Sequence, residues 1–215
     1  AGAGAPSHSI HLNPRVEDAR SLPVRTGKAR VIGIEPASLV TKSLVREVKT
    51  DDAGCFQSAL NPGLTKIAVI ERHKRTGKLG IGILEGYGLT GGAIATTISH
   101  DSHNIVVAGD NDPDMLLAVR ELADMGGGIV SVHGGAIRRL PLPIAGLMTS
   151  ADPQEVNAVL HDMLVAARAE LGIPEDVEPF MTLSFMALPV IPELKLTARG
   201  LFNVNTFSFV GVEAD

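Results

Sequence analysis

The segment "NIVVAGDNDPDMLLAVRELADMGGGIVSV", Asn104 to Val132, constrains the fold of this chain more than any other. An apolar run, an amphipathic stretch of helix length and a second apolar run have the length and pattern of a βαβ crossover. Such a unit calls for parallel strands in at least part of the sheet. Asp112 reads as the N-cap of the helix and Pro113 as its first residue. Met115, Val119 and Leu122 form its apolar stripe, with Leu116 and Ala123 beside them, and Gly126 ends it.

A second helix follows the same scheme in "ADPQEVNAVLHDMLVAARAELG". Asp152 caps, Pro153 opens, and Val156, Val159, Leu160, Met163, Ala167 and Leu171 make the stripe, with Gly172 as the stop. His161 falls off that stripe and reads as exposed. Strand-like runs fill much of the rest. "LTKIAVIERH" and "LGIGILEG", joined by the charged turn "KRTGK", predict a hairpin. "KARVIGIEP", "LVTKSLVREVK", "GAIATTIS" and the two runs of "GGIVSVHGGAIRRLPLP" predict further strands, and the tail "FMTLSFMALPVIPELKLTARGLFNVNTFSFVGV" reads as strand-rich with a proline-marked loop. The expected fold class is therefore α/β (α+β), a mixed sheet with two principal helices and a β-rich N-terminal segment.

Composition narrows the function classes. A chain of 215 residues suffices for one good core, or for one domain with a smaller extra piece. Aromatics make up only 3%, so Val, Ile, Leu, Ala and Met must build the core. A net charge of −5 argues against nucleic acid as a partner. No run approaches the ~18 apolar residues of a membrane span. The start of the sequence lacks the basic and apolar regions of a signal peptide, so a cytoplasmic location is expected. Cys55, the single cysteine, excludes an intramolecular disulfide and a multi-cysteine zinc site. Residues 1–28 read as a linker or tail in which His8 and His11 are solvated.

The chemistry concentrates in "SHDSHN", Ser99 to Asn104, where two histidines, an aspartate, two serines and an asparagine precede an apolar strand. A capped polar turn is the bland reading. A Ser-His-Asp triad needs groups from distant chain positions, which adjacent residues do not supply. His100 and His103 are too few for a metal without a third ligand such as Glu71, His73 or His133. The remaining reading is a pocket wall that hydrogen-bonds and moves protons, since histidine titrates near neutrality and aspartate can orient it. In "IERHK", strand alternation sends Glu71 and His73 to one face and Arg72 to the other, as a charged strand end or as part of that pocket. "GYGLTG" fits the dinucleotide fingerprint, but a strand follows it and not a helix, so glycines at a strand-to-strand turn explain it better. His133, beside a Gly-Gly turn, reads as a satisfied histidine.

"KIAVIERHKRTGKLGIGILEGYGLTGGAIATTISHDSHNIVVAGDNDPDMLLAVREL" resembles the C-terminal domain of the bacterial adenine deaminases, within the amidohydrolase superfamily. "GGIVSVHGGAIRRLPLPIAGLMT" and "PFMTLSFMALPVIPELKLTARGLFNV" resemble its later blocks, in the family's order, so the likeness runs from about Ala29 to Phe209. "KARVIGIEPASLVT" resembles the segment where the family chain leaves its barrel, which divides the sequence into residues 1–28, a segment 29–60 completing a small β-rich domain, and the C-terminal domain over 61–215.

The resemblance implies hydrolysis of adenine to hypoxanthine and ammonia in a TIM-type barrel holding a binuclear manganese or iron centre. No H-x-H pair of such a barrel occurs here, and the sequence before Ala29 has no room for its ~250 residues. The barrel is thus expected to be absent from this chain, and no metal is expected in it. The catalytic candidates are His100, Asp101 and His103. Glu71, Arg72, His73, Ser99, Ser102 and Asn104 are the substrate-binding candidates. The expected partners are adenine, the barrel domain of the same enzyme and further copies in a homo-oligomer, with no nucleic acid and no membrane. The rival readings are a non-catalytic structural or oligomerisation module and an autonomous His-rich metal-binding hydrolytic domain using His73, His100 and His103.

Overall fold

A computed structural model describes residues 9–215. Its strands and helices, in chain order, are β1 (Lys28–Ile34), β2 (Thr41–Glu47), β3 (Leu64–Ile70), β4 (Leu79–Glu85), β5 (Gly92–Thr96), β6 (Ile105–Gly109), α1 (Asp112–Asp124), β7 (Gly128–His133), β8 (Ala136–Pro141), α2 (Pro153–Ala169), α3 (Pro179–Phe185), β9 (Leu194–Thr197), β10 (Gly200–Asn203) and β11 (Ser208–Phe209). An eight-stranded sheet runs β2-β1-β4-β3-β6-β5-β7-β8, and β9 to β11 form a small second sheet. The fold is the expected mixed α/β architecture, and no barrel occurs among the described residues.

The crossover is present, but it is split. β6 and β7 both pair antiparallel with β5, so they run parallel to each other with β5 between them. The adjacent parallel pair of the sheet lies instead at β1 and β4. The inner strands are largely apolar because both faces of the sheet are covered. Ile67, Val69, Ile94, Val106 and Ala108 point to one side, against Met163, Ala167, Phe180 and Leu183 of α2 and α3. Ala68, Ile70, Ala93, Ala95, Ile105 and Val107 point to the other, against Met115, Ala118, Val119 and Leu122 of α1.

Several expectations shift. The N-cap of α1 is Asn111, whose side chain accepts from the Asp114 N–H at 2.9 Å, and Asp112 is the first helical residue. The Asp112 carboxylate instead meets the buried Lys66 ammonium at 2.7 Å. Asp152 caps α2 as expected, accepting from the Gln154 N–H at 2.8 Å, while Val159 of its apolar stripe is exposed. "PFMTLSF" is a helix and not a strand: Glu178 caps it and Pro179 occupies its first turn, which is preset for helical φ. Residues 9–27 pack on the sheet. A 3-10 turn spans Pro14–Arg20, Ala19, Leu22 and Val24 are buried, and Ile10, Leu12 and Val16 lie against the α1 side of the core. His11 is exposed, and His8 lies outside the described residues.

The second sheet docks directly on the first at a glycine. A Cβ on Gly80 of β4 would meet the Thr197 carbonyl at 2.0 Å, so the β9–β10 turn can approach only because no side chain is there. That approach places the loop after β10 beside the end of the main sheet that carries "SHDSHN".

Candidate functional site

Three chain segments meet where β3 and β5 end and β6 begins: residues 71–76, the loop 97–104, and the loop 142–148. The hairpin after β3 is organised by Glu71. One of its carboxylate oxygens accepts from the N–H groups of His73 and Lys74 at 2.6 and 2.7 Å, and the other from the N–H and hydroxyl of Thr76 at 2.8 Å each. Partial burial pushes this carboxyl up, but the Thr76, Lys74 and His73 donors outweigh it and hold it down at about 2. Glu71 is therefore a fixed anion that shapes its own turn, and its oxygens are already occupied.

Arg72 points inward and is 1% exposed. Its Nε donates to the His103 carbonyl at 2.5 Å and its Nη2 to the Ala145 carbonyl at 2.9 Å. His73 is exposed, and its Nε2–H donates to the Ser102 carbonyl at 2.8 Å. Glu71, Arg72 and His73, expected among the substrate-binding residues, thus spend their side chains on the protein, two of them on the backbone of the "SHDSHN" loop.

The loop itself is the reverse case. Among the described residues, four buried side-chain atoms have no hydrogen-bond partner, and three of them belong to it: Ser99 Oγ, His103 Nδ1 and Asn104 Oδ1. A buried polar atom left unpaired costs about 1–3 kcal/mol, so each of these atoms calls for a partner such as a bound water or a ligand group. The loop turns at a left-handed His103 (φ +48°), whose N–H donates to the Ser99 carbonyl at 2.6 Å. Burial, then the nearby His100 and Arg72 charges, hold the His103 imidazole below its ordinary value, with Asp101 opposing. A neutral imidazole in this position accepts a hydrogen bond or a proton. The His100 ring lies 4.5 Å from that of Phe185 and 6.2 Å from that of His103, and Asp101 and Ser102 are exposed. Among the described residues, no three His, Cys, Asp or Glu side chains are grouped as a metal ion requires.

Beside the loop opens a cleft of about 820 Å³. Glu71, Asp101, Ser102 and Asn104 line one side of it, and Pro189, Val190, Arg199, Phe202, Phe207 and Phe209 the other. The Phe202 ring meets those of Phe207 and Phe209 edge-on at 5.3 and 5.2 Å, and the Arg199 guanidinium sits 4.8 Å over Phe209. Sequence reasoning did not single out this apolar wall. Its signal was available: three of the six phenylalanines of an aromatic-poor chain fall within "FNVNTFSF".

Two other motifs resolve to structural roles. The glycine run after β4 opens no helix, and the N–H groups of Gly91 and Gly92 bind the Asp110 carboxylate at 2.5 and 3.0 Å. His133 Nδ1 donates to the Gly91 carbonyl at 2.9 Å, the satisfied histidine its position suggested.

A split-crossover α/β domain with an unsatisfied polar loop at one end of its sheet defines the class of the molecule. Residues 38–208 match the adenine deaminase C-terminal domain family, and the chain belongs to that family. It is 58% identical over 205 residues to a protein from Nitratidesulfovibrio vulgaris strain Hildenborough named adenine deaminase, covering 95% of this chain and 35% of that protein. It is 48% identical over 202 residues to adenine deaminase 2 of Carboxydothermus hydrogenoformans, covering 94% of this chain and 35% of that protein. Over 207 residues it is 44% identical to the adenine deaminase of Bacillus licheniformis, covering 95% of this chain and 36% of that protein. The chain therefore spans about a third of the length of these relatives. No helix among the described residues is long and apolar enough to cross a membrane.

Proposed function

We propose that this chain is the C-terminal part of a cytoplasmic adenine deaminase of purine metabolism, which hydrolyses adenine to hypoxanthine and ammonia, and that its "SHDSHN" loop faces the active site carried by the rest of the longer protein. The observation that carries this reading is the cluster of unpartnered atoms in that loop, Ser99 Oγ, His103 Nδ1 and Asn104 Oδ1. A purine base offers complementary groups, with ring nitrogens and an exocyclic amine that both donate and accept. On this reading Ser99, Ser102 and Asn104 hydrogen-bond the base. His103, kept neutral by its surroundings, takes or returns a proton as water replaces the amine, with His100 and Asp101 beside it. Residues 29–60 supply β1 and β2 to the edge of the same main sheet.

The binuclear manganese or iron centre of this reading belongs to the barrel, outside this chain. The described residues do not fit such a centre, since His73 is bound to a backbone carbonyl and no set of three ligands is grouped. On this reading the described residues contribute hydrogen bonding, proton handling and the exclusion of water. A second reading, a module that only packs against the barrel or against further copies in a homo-oligomer, is favoured by the exposed Val190, Phe207 and Phe209 on the cleft wall.

The test is adenine turnover by the purified longer protein and by this chain alone, each supplied with Mn²⁺. Hypoxanthine is expected from the longer protein and none above a metal-only control from the chain. Turnover by the chain alone would overturn the proposal.

A further inference from the structure

Arg72 is a buried cation whose four hydrogen bonds among the described residues all go to neutral oxygens. Its Nε reaches the His103 carbonyl at 2.5 Å, Nη2 the Ala145 carbonyl at 2.9 Å, and Nη1 the Ser9 hydroxyl and carbonyl at 2.8 and 3.2 Å. Burial without a carboxylate is costly for a charge, and an apolar side chain would fill the same volume with less penalty. What an apolar side chain cannot do is hold several backbone segments in one plane, which the rigid guanidinium fork does.

The second loop is fitted to that fork. Gly146, at φ +74°, lies flat against it, and a Cβ there would stand 3.0 Å from Nη1. From the other side, the Thr97 hydroxyl donates to the Gly146 carbonyl at 2.5 Å. The residue gripped most closely, His103, has a left-handed backbone, a conformation that for a non-glycine residue persists only when its surroundings enforce it.

We infer that Arg72 is a positioning residue for the proposed deamination: by tying the His103 carbonyl to the Ala145–Gly146 loop, it fixes the backbone of His103 and so the aim of its imidazole. The inference rests on the functional reading above. It replaces direct contact between Arg72 and substrate with an action through His103.

The experiment uses the full-length protein and the variants Arg72→Lys, Arg72→Ala, His103→Asn and the double variant Arg72→Ala/His103→Asn. Turnover number, KM for adenine and melting temperature are measured on each, with and without added guanidinium ion. Arg72→Lys keeps the charge and loses the fork. Both Arg72 variants are expected to lower kcat by roughly 10–10²-fold, the scale of a misplaced catalytic group, with KM changed far less. Guanidinium ion at millimolar levels is expected to restore part of kcat to Arg72→Ala and nothing to wild type. In the double variant the loss should match that of His103→Asn alone, and guanidinium should restore nothing, because the arginine acts through the histidine.

With His103→Asn impaired, wild-type kcat per folded molecule in Arg72→Lys overturns this inference alone, as do multiplicative losses in the double variant. A fall in melting temperature with unchanged kcat per folded molecule also overturns it, by reducing Arg72 to a stabilising residue. Wild-type turnover in His103→Asn overturns both this inference and the functional reading beneath it.

Discussion

His103→Asn in the longer protein is expected to lower adenine turnover by about 10²-fold or more, the usual contribution of a group that transfers a proton in the transition state. Melting temperature and bound metal should stay close to wild type. The expectation follows from the local structure. The His103 ring makes no hydrogen bond through Nδ1, so removing it breaks none, while the grip on its backbone by Arg72 and Ser99 remains. A structural role predicts the reverse, with activity per folded molecule retained and the melting temperature lowered. A metal-ligand role predicts loss of bound metal together with activity. His100→Asn should behave similarly in turnover but lose some stability as well, because the His100 ring also packs on Phe185.

Asp112→Ala is expected to be strongly destabilising. The Lys66 side chain is 2% exposed, and its ammonium has Asp112 at 2.7 Å and the Arg20 carbonyl at 2.9 Å as partners. Removing the carboxylate strands a buried charge, at a typical cost of about 3–5 kcal/mol. Asp152→Ala removes only an N-cap oxygen from α2, for about 1 kcal/mol. Chemical denaturation of both variants should show a clearly larger loss for Asp112→Ala. The double variant Lys66→Met/Asp112→Ala should recover much of it, because no buried charge then remains unpaired. Equal losses in the two single variants would show that the Lys66–Asp112 pair contributes no more than a helix cap.

The contrast between these two aspartates marks where sequence reasoning stops. Prolines in the first turn announce both α1 and α2, and Asp152 is the capping candidate directly before Pro153. In "DNDPD" three capping side chains stand in a row, and the choice falls to Asn111 because the next residue is claimed by a lysine from β3. That lysine, 46 positions away along the chain, leaves no local trace. The β3–β4 hairpin was legible for the opposite reason: its turn residues and apolar runs are adjacent in sequence, and the structure pairs Leu64–Ile70 with Leu79–Glu85 in full. The βαβ length was legible too, but local pattern does not reveal that β5 would enter between its strands.

In the site, composition located the loop and not the task of each group around it. The hydrogen-bonding residues of Ser99 to Asn104 are visible in six letters. That Glu71 is saturated by its own turn, and that Arg72 faces inward, depends on how the chain bends after β3. The phenylalanine wall comes from a segment about a hundred residues downstream, brought near by the close contact at Gly80.

The central claim is that the Ser99–Asn104 loop meets the substrate. The most direct measurement is the structure of the longer protein with a purine base or a non-hydrolysable analogue bound. The claim predicts that at least one of Ser99 Oγ, His103 Nδ1 and Asn104 Oδ1 lies within hydrogen-bonding distance of the base, about 2.7–3.2 Å, directly or through one ordered water. A bound base whose polar atoms are all satisfied by other parts of the protein, with this loop turned to solvent or buried against another subunit, would contradict it.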